Sequence, residues 1–194
     1  MREIYLVRHG ETDWNITGQM QGLEDNPLNE TGLAQAAKVA AAFEGIGIQR
    51  VISSKLQRAF NTAEIIAKKL GLPSPDVVED LHERDYGLGG GLTREQATAK
   101  FPDGVPGEES KIALRERSVK AFYLVAAKFK ESKILVVGHG SMIRTLLGHF
   151  MGQSPEQTAI MPVNCSISKM MEDGDGWALS YMNIGPEDLK SHET

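Results

Sequence analysis

The chain has 194 residues, 41% of them hydrophobic, and its 21 Lys and Arg against 26 Asp and Glu leave a formal net charge of -5. That length buries one substantial core and suits one domain over 1–194 with a small cap around 81–110, while the acidic balance argues against a nucleic-acid surface and confines any anion site to a local basic cluster. Cys165, the single cysteine, has no partner for an internal disulfide and reads as a small buried thiol. With no signal-type apolar run and no stretch near the roughly 20 residues of a membrane span, the expectation is a soluble, cytoplasmic protein without membrane partners.

Along the chain, Ile4 to Arg8 is a short apolar strand, and the polar stretch from Gly10 to Asn29 reads as a long functional loop without regular structure. Leu33, Ala36, Ala37, Ala40 and Phe43 recur at helical spacing, with Asn29 as N-cap and Gly45 and Gly47 ending the run. Arg50 to Ser53 is a second strand, followed by a helix capped by Ser54 that places Ala59, Ala63, Ile66 and Leu70 on one face and ends at Gly71 and Pro73. Val77 and Val78 form a third strand leading into a glycine-rich loop, Glu83 to Gly91, expected to be mobile.

Thr93 to Lys100 predicts a short helix, and Ser110 caps a long one reaching about Lys130 with Phe122, Val125 and Phe129 inward. The unbroken apolar run of Lys133 to Gly138 marks a strand covered on both faces, and Met142 to Phe150 returns to helical spacing. Ser166–Met171 and Trp177–Asn183, joined through Glu172 to Gly176, read as a hairpin, and the tail beyond Pro186 as frayed. The pattern implies an α/β fold, a three-layer sandwich of a mainly parallel mixed sheet flanked by helices.

Two strand ends carry the chemistry. Leu6-Val7-Arg8-His9-Gly10 and Val136-Val137-Gly138-His139-Gly140 each place a histidine and a glycine directly after an apolar strand. Ligands of open α/β sheets collect beyond the carboxyl ends of the strands, so parallel neighbours bring His9 and His139 into one crevice. Arg58, at the start of the helix after the second strand, is placed to aim its guanidinium there too. His82, His149 and His192 lack such a setting and read as surface or packing residues. No close-spaced His/Cys metal-ligand set and no P-loop is present.

These segments, together with Glu11-Thr12-Asp13-Trp14-Asn15, Gln21-Gly22, Pro27-Leu28, Ser53-Ser54, Thr62-Ala63 and Leu81-His82-Glu83, resemble the histidine phosphatase superfamily, also called phosphoglycerate mutase-like. The resemblance implies that His9 is the nucleophile that becomes a phosphohistidine, that Arg8, Arg58 and His139 surround the phosphoryl group, and that Glu83 protonates the leaving oxygen and helps activate water. It implies no metal and no cofactor. Asn15, Gln21 and Gly22 match positions lining the phosphate or entrance, and Gly140 offers a backbone N–H beside His139.

Two departures from the family pattern stand out. Gly89 and Gly90 occupy positions where many phosphatase members carry Trp and Glu, and Gln19 stands where relatives often have Arg. The implied activity is a metal-independent phosphomonoesterase acting on a small phosphorylated metabolite. The alternatives are a cofactor-dependent phosphoglycerate mutase and, well behind it, a non-catalytic phosphate-binding module. Short length favours the phosphatase, because mutases of this family carry extra segments over the site. Sugar phosphates, phosphoglycerates, nucleotide-pathway monoesters, α-ribazole phosphate and phosphoserine all stay open as substrates, as does oligomeric state, a dimer included.

Overall fold

A computed structural model describes residues 1–157, 160–174 and 176–193. Six strands form one mixed sheet in the order β3-β2-β4-β1-β5-β6. β1 (Arg2–Arg8), β2 (Arg50–Ser53), β3 (Asp76–Val77) and β4 (Lys133–Gly138) run parallel, and the hairpin of β5 (Ile167–Asp173) and β6 (Gly176–Ile184) adds an antiparallel edge. Asp175, in the predicted hairpin connection, lies outside the described residues.

Alternation along β1 explains the two faces. Ile4 and Leu6 point into a cluster with Phe122, Val125, Leu146 and Leu147 from α5 (Lys111–Lys128) and α6 (Gly140–Phe150). Tyr5 and Val7 point the other way, against Val39, Phe43, Ala63 and Ile66 from α2 (Glu30–Ala42) and α3 (Gln57–Lys69). Both faces are therefore dry, which is why these strands read as unbroken apolar runs rather than alternating ones. Each fully buried Ile or Leu here is worth about 2 kcal/mol of burial.

Several sequence expectations shift. The stretch after Gly10 is not wholly irregular: α1 (Asp13–Ile16) forms because Thr12 Oγ1 accepts the Asn15 N–H and Asn15 Oδ1 accepts the Thr12 N–H, a capping box. Asn29 caps α2 as expected, with its side chain accepting from Gly32, yet Leu33 on that helix is exposed. Ser54 does not cap α3. Leu56 occupies the N-cap, and the first helical amide, Gln57, donates to Asp25 Oδ1 at 2.6 Å from a distant loop.

The glycine-rich segment is braced rather than loose. Gly87–Gly89 forms a 3-10 turn, Leu88 N–H donates to the Pro106 carbonyl, and Gly91 N–H donates to Met20 O. α4 (Arg94–Lys100) follows behind a capping box at Thr93. The tail is also docked: α7 (Leu189–His192) buries Leu189 against the second core, and Glu193 accepts from Lys169, Tyr5 and Tyr181. Among the described residues no helix is long and apolar enough to cross a membrane.

Candidate active site

Register sets the site. Arg8 pairs with Gly138 across the parallel β1–β4 ladder, so the residues that follow, His9 and His139, leave the sheet side by side. Their rings lie 5.3 Å apart, centroid to centroid. Both are buried, and burial followed by the neighbouring guanidinium charges holds each imidazole well below its ordinary pKa, so both are neutral near pH 7. His9 Nδ1 lies 2.7 Å from the Gly10 carbonyl. A carbonyl only accepts, so Nδ1 carries the proton and Nε2 keeps its lone pair for reaction.

The loop after His9 is pinned from two directions, and one of the anchors is tied in turn to Arg58. Asn164 Nδ2 donates to the His9 carbonyl at 2.9 Å, Gly10 N–H donates to Thr62 Oγ1, and Thr62 Oγ1 donates to the Arg58 carbonyl. The nucleophile candidate and α3 are thus one hydrogen-bonded unit. Cys165 N–H donates to the Arg8 carbonyl, and its buried thiol is pushed up to about 12, so it packs beside the site as an inert group, matching the sequence reading.

Arg58 is fully buried. Nη1 donates to Glu24 O at 2.7 Å and Nη2 to Gly22 O at 2.8 Å, leaving Nε without a partner. Desolvation lowers its pKa to about 10, which still leaves it charged at neutral pH. Arg8 donates Nη1 to the Pro162 carbonyl at 2.6 Å and likewise has an unpartnered buried Nε. Neither nitrogen of His139 has a partner. Both guanidinium charges bear on His9 and His139, and buried donors left unpartnered beside them fit an anion that would complete them.

Glu83, 8% exposed, meets this cluster from the segment after β3. Its carboxylate accepts the N–H groups of Arg84 at 2.8 Å, Ser141 at 3.1 Å and Met142 at 3.2 Å. The last two are first-turn amides of α6, so the positive end of that helix holds the carboxylate. Behind it, all five N–H directions of Arg117 are engaged: a bidentate grip on Glu109 at 2.9 Å each, and bonds to the carbonyls of Asp80, His82 and Glu83. α5 thereby fixes the backbone that carries Glu83.

These side chains surround a cavity of about 220 Å³ lined by Arg8, His9, Arg58 and Glu83 at the floor, with Asn15, Gln21 and Gly140 in its wall. The family profile of the histidine phosphatase superfamily (branch 1) matches residues 4–185. The chain belongs to the histidine phosphatase superfamily. It is 36% identical to the "Uncharacterized phosphatase PhoE" of Bacillus subtilis over 95% of both chains. It is 35% identical to the "Probable phosphoglycerate mutase GpmB" of Proteus mirabilis, over 100% of this chain and 96% of the relative. In structure it matches the mycobacterial glucosyl-3-phosphoglycerate phosphatase solved with VO3, with a TM-score of 0.85 and 26% identity over 95% of this chain and 100% of that one. The α/β sandwich is accordingly a histidine phosphatase fold.

Within that fold two of the expected lining residues sit differently. Gly22 does not line the cavity; it adopts a left-handed φ of +51° and spends its carbonyl on Arg58, so it positions the guanidinium from behind. His139 also lies behind the lining surface, against His9. Trp14, Met20, Tyr86, Ser141 and Met161 line the cavity without having been singled out. Tyr86 shares a 2.8 Å hydrogen bond with Ser141, and Asn164 bridges the His9 carbonyl and Asn15 Oδ1. The motif at Trp14-Asn15 was a signal for Trp14; nothing local marks Met161. Gly89 has little room for a larger residue, since a Cβ there meets Val105 at 3.1 Å and Met20 at 3.2 Å.

Proposed function

We propose that this superfamily member hydrolyses small phosphomonoesters through a phosphohistidine on His9, without a metal ion. The observation that carries the reading is the arrangement at His9: a buried imidazole with its proton parked on Gly10, its other nitrogen free, and unpartnered guanidinium N–H groups on two sides. Positive charge for the phosphoryl oxygens comes from Arg8 and Arg58, fixed in place before substrate arrives, and is strongest where negative charge grows in the transition state. His139 adds a hydrogen-bond donor beside them.

In the first half-reaction His9 Nε2 forms a bond to phosphorus while the ester P–O bond breaks, and Glu83 delivers the proton to the leaving oxygen. In the second, water attacks phosphorus, Glu83 takes a proton from it, and the N–P bond breaks to release phosphate. Asn15, Gln21 and Gly140 line the approach, and Gly22 positions Arg58. The buried free thiol of Cys165 supports a cytoplasmic, reducing setting.

The test is trapping of the acid-labile, base-stable phosphohistidine. After a rapid base quench with a 32P-labelled monoester, label is expected on His9, phosphate release is expected to persist in EDTA, and His9→Ala is expected to lose at least about 1,000-fold in kcat. Full activity of His9→Ala overturns the covalent step. The likeness to a probable mutase favours a second reading, in which the phosphoryl group returns to another oxygen; isomerisation of 3-phosphoglycerate dependent on 2,3-bisphosphoglycerate, without free phosphate, would establish it.

A further inference from the structure

Resting on the phosphatase reading, we infer that the alcohol half of the substrate is uncharged and apolar, with an aromatic or branched surface, and carries no second carboxylate or phosphate. Among the described residues the only charged side chains lining the cavity are Arg8, Arg58 and Glu83. Two guanidinium groups match one phosphoryl group. An additional anion on the alcohol would find Glu83 and no third cation.

The nearest further arginines are committed elsewhere. Arg84 and Arg94 lie over the Tyr86 ring, 5.7 and 5.3 Å from its centroid, and both pair with Glu108, at 3.4 and 3.0 Å. Neither lines the cavity. Lys55 is held by Glu79 at 2.6 Å. The loop flanking the floor adds carboxylates rather than cations: Asp25 adds its field to Arg58, and the Glu24 side chain sits beside Gly90.

Beside the neutral polar groups of Asn15, Gln19, Gln21 and Ser141, the cavity offers a large apolar surface. Trp14 lies against the backbone of Gly91, where a Cβ would come within 3.3 Å of its ring, and Gly91 at φ +78° is suited to that approach. Met20, Met161 and the half-buried Tyr86 add to the wall. Exposed apolar side chains continue outward from both lips, Ile16 next to the Trp14 segment and Ile160 and Val163 next to Met161. The cavity is smaller than a drug-sized pocket, so the phosphoryl group fills the floor and the alcohol extends over this rim. Burying such a surface is favourable, whereas stripping water from an unpaired carboxylate there is costly.

The experiment compares 2-phenylethyl phosphate with 3-phosphoglycerate and phosphoserine, all alkyl esters, so leaving-group chemistry does not dominate the result. The expected kcat/KM favours the phenylethyl ester by at least tenfold. Trp14→Ala is expected to remove most of that advantage through KM, with a loss on the phenylethyl ester at least fivefold larger than on 3-phosphoglycerate, and Gln19→Arg to raise 3-phosphoglycerate turnover about fivefold or more. Equal or better turnover of either anionic ester, or equal losses on all three in Trp14→Ala, overturns the inference. Calorimetric binding of the same esters to His9→Ala reads the preference without chemistry. If hydrolysis is absent while phenylethyl phosphate still binds tenfold tighter, the phosphatase reading fails and the preference stands; if binding favours the anionic esters, the preference fails on its own.

Discussion

Arg8, His9 and Arg58, at the floor of the cavity, and His139 behind it, each end or follow a strand or sit in the first turn of a helix packed on the sheet, and each is tied down by backbone groups or full burial. Trp14, Gln19, Tyr86 and Met161, at the mouth, come from the one-turn helix α1 and from connections between elements, and they are held mainly by contacts among those segments, such as Gln19 Nε2 donating to Gly91 O. The floor is charged, buried and left with unpartnered donors; the mouth is neutral and partly exposed. Rigid placement belongs where a transition-state charge must be met without reorganisation, and loop-borne surface belongs where different alcohols are distinguished. Substitutions at the floor should therefore act on kcat, and those at the mouth on KM and substrate ratio.

The sharpest way to break that division is Arg58→Ala. It removes a buried charge and frees the Gly22 and Glu24 carbonyls, and kcat/KM for any monoester is expected to fall about 100- to 1,000-fold, measured by steady-state phosphate release. A loss confined to KM would place Arg58 with the mouth. Next comes Arg117→Lys, which keeps the charge but cannot reproduce five donors in one plane. Displacing the backbone under Glu83 by a fraction of an ångström is expected to lower kcat about 10- to 100-fold with KM little changed and thermal unfolding only slightly earlier. An unchanged kcat would separate Glu83 placement from α5.

The smallest expected effect is on stability against pH. His9 and His139 are held below the 6.5 of a free imidazole, so on acidification the unfolded chain takes up protons that the folded chain refuses. Their contribution is complete above pH 6.5 and is lost as pH falls below it, by about 1.4 kcal/mol per pH unit for each group. Melting temperature is expected to drop between pH 6.5 and 5.5, less so in His139→Gln, and orthovanadate is expected to recover part of the loss by binding the folded floor. A melting temperature equal at both pH values in wild type would show that the floor imidazoles are not held neutral.

Much of the floor was legible because it is local. A strand that stops at Arg8-His9-Gly10, repeated at Gly138-His139-Gly140, announces two side chains at sheet ends, and the parallel register bears out their meeting. The helices and the hairpin were legible for a similar reason, since caps and apolar spacing are properties of a few consecutive residues. Apart from the local capping box that forms α1, the main failures involve partners outside the segment being read. Ser54 lost the capping of α3 to Asp25, a residue some thirty positions earlier. The tail beyond Pro186 is ordered because Leu189 and Glu193 find Tyr181 and Lys169 on the hairpin and Tyr5 at the other end of the chain.

By itself the sequence determined the alternation of strands and helices, the placement of two histidines and two arginines at one edge of a sheet, and the balance of charge that keeps the site local; these follow from short-range periodicity and from strand-end geometry. Only the tertiary structure decided which nitrogen of His9 is free, that Gly22 serves Arg58 instead of lining the cavity, that α6 and Arg117 hold Glu83, and that no third Lys or Arg among the described residues lines the cavity. Each of those depends on hydrogen bonds or contacts between segments tens of residues apart, and such pairings are set by how the packed elements meet, not by any pattern within one of them.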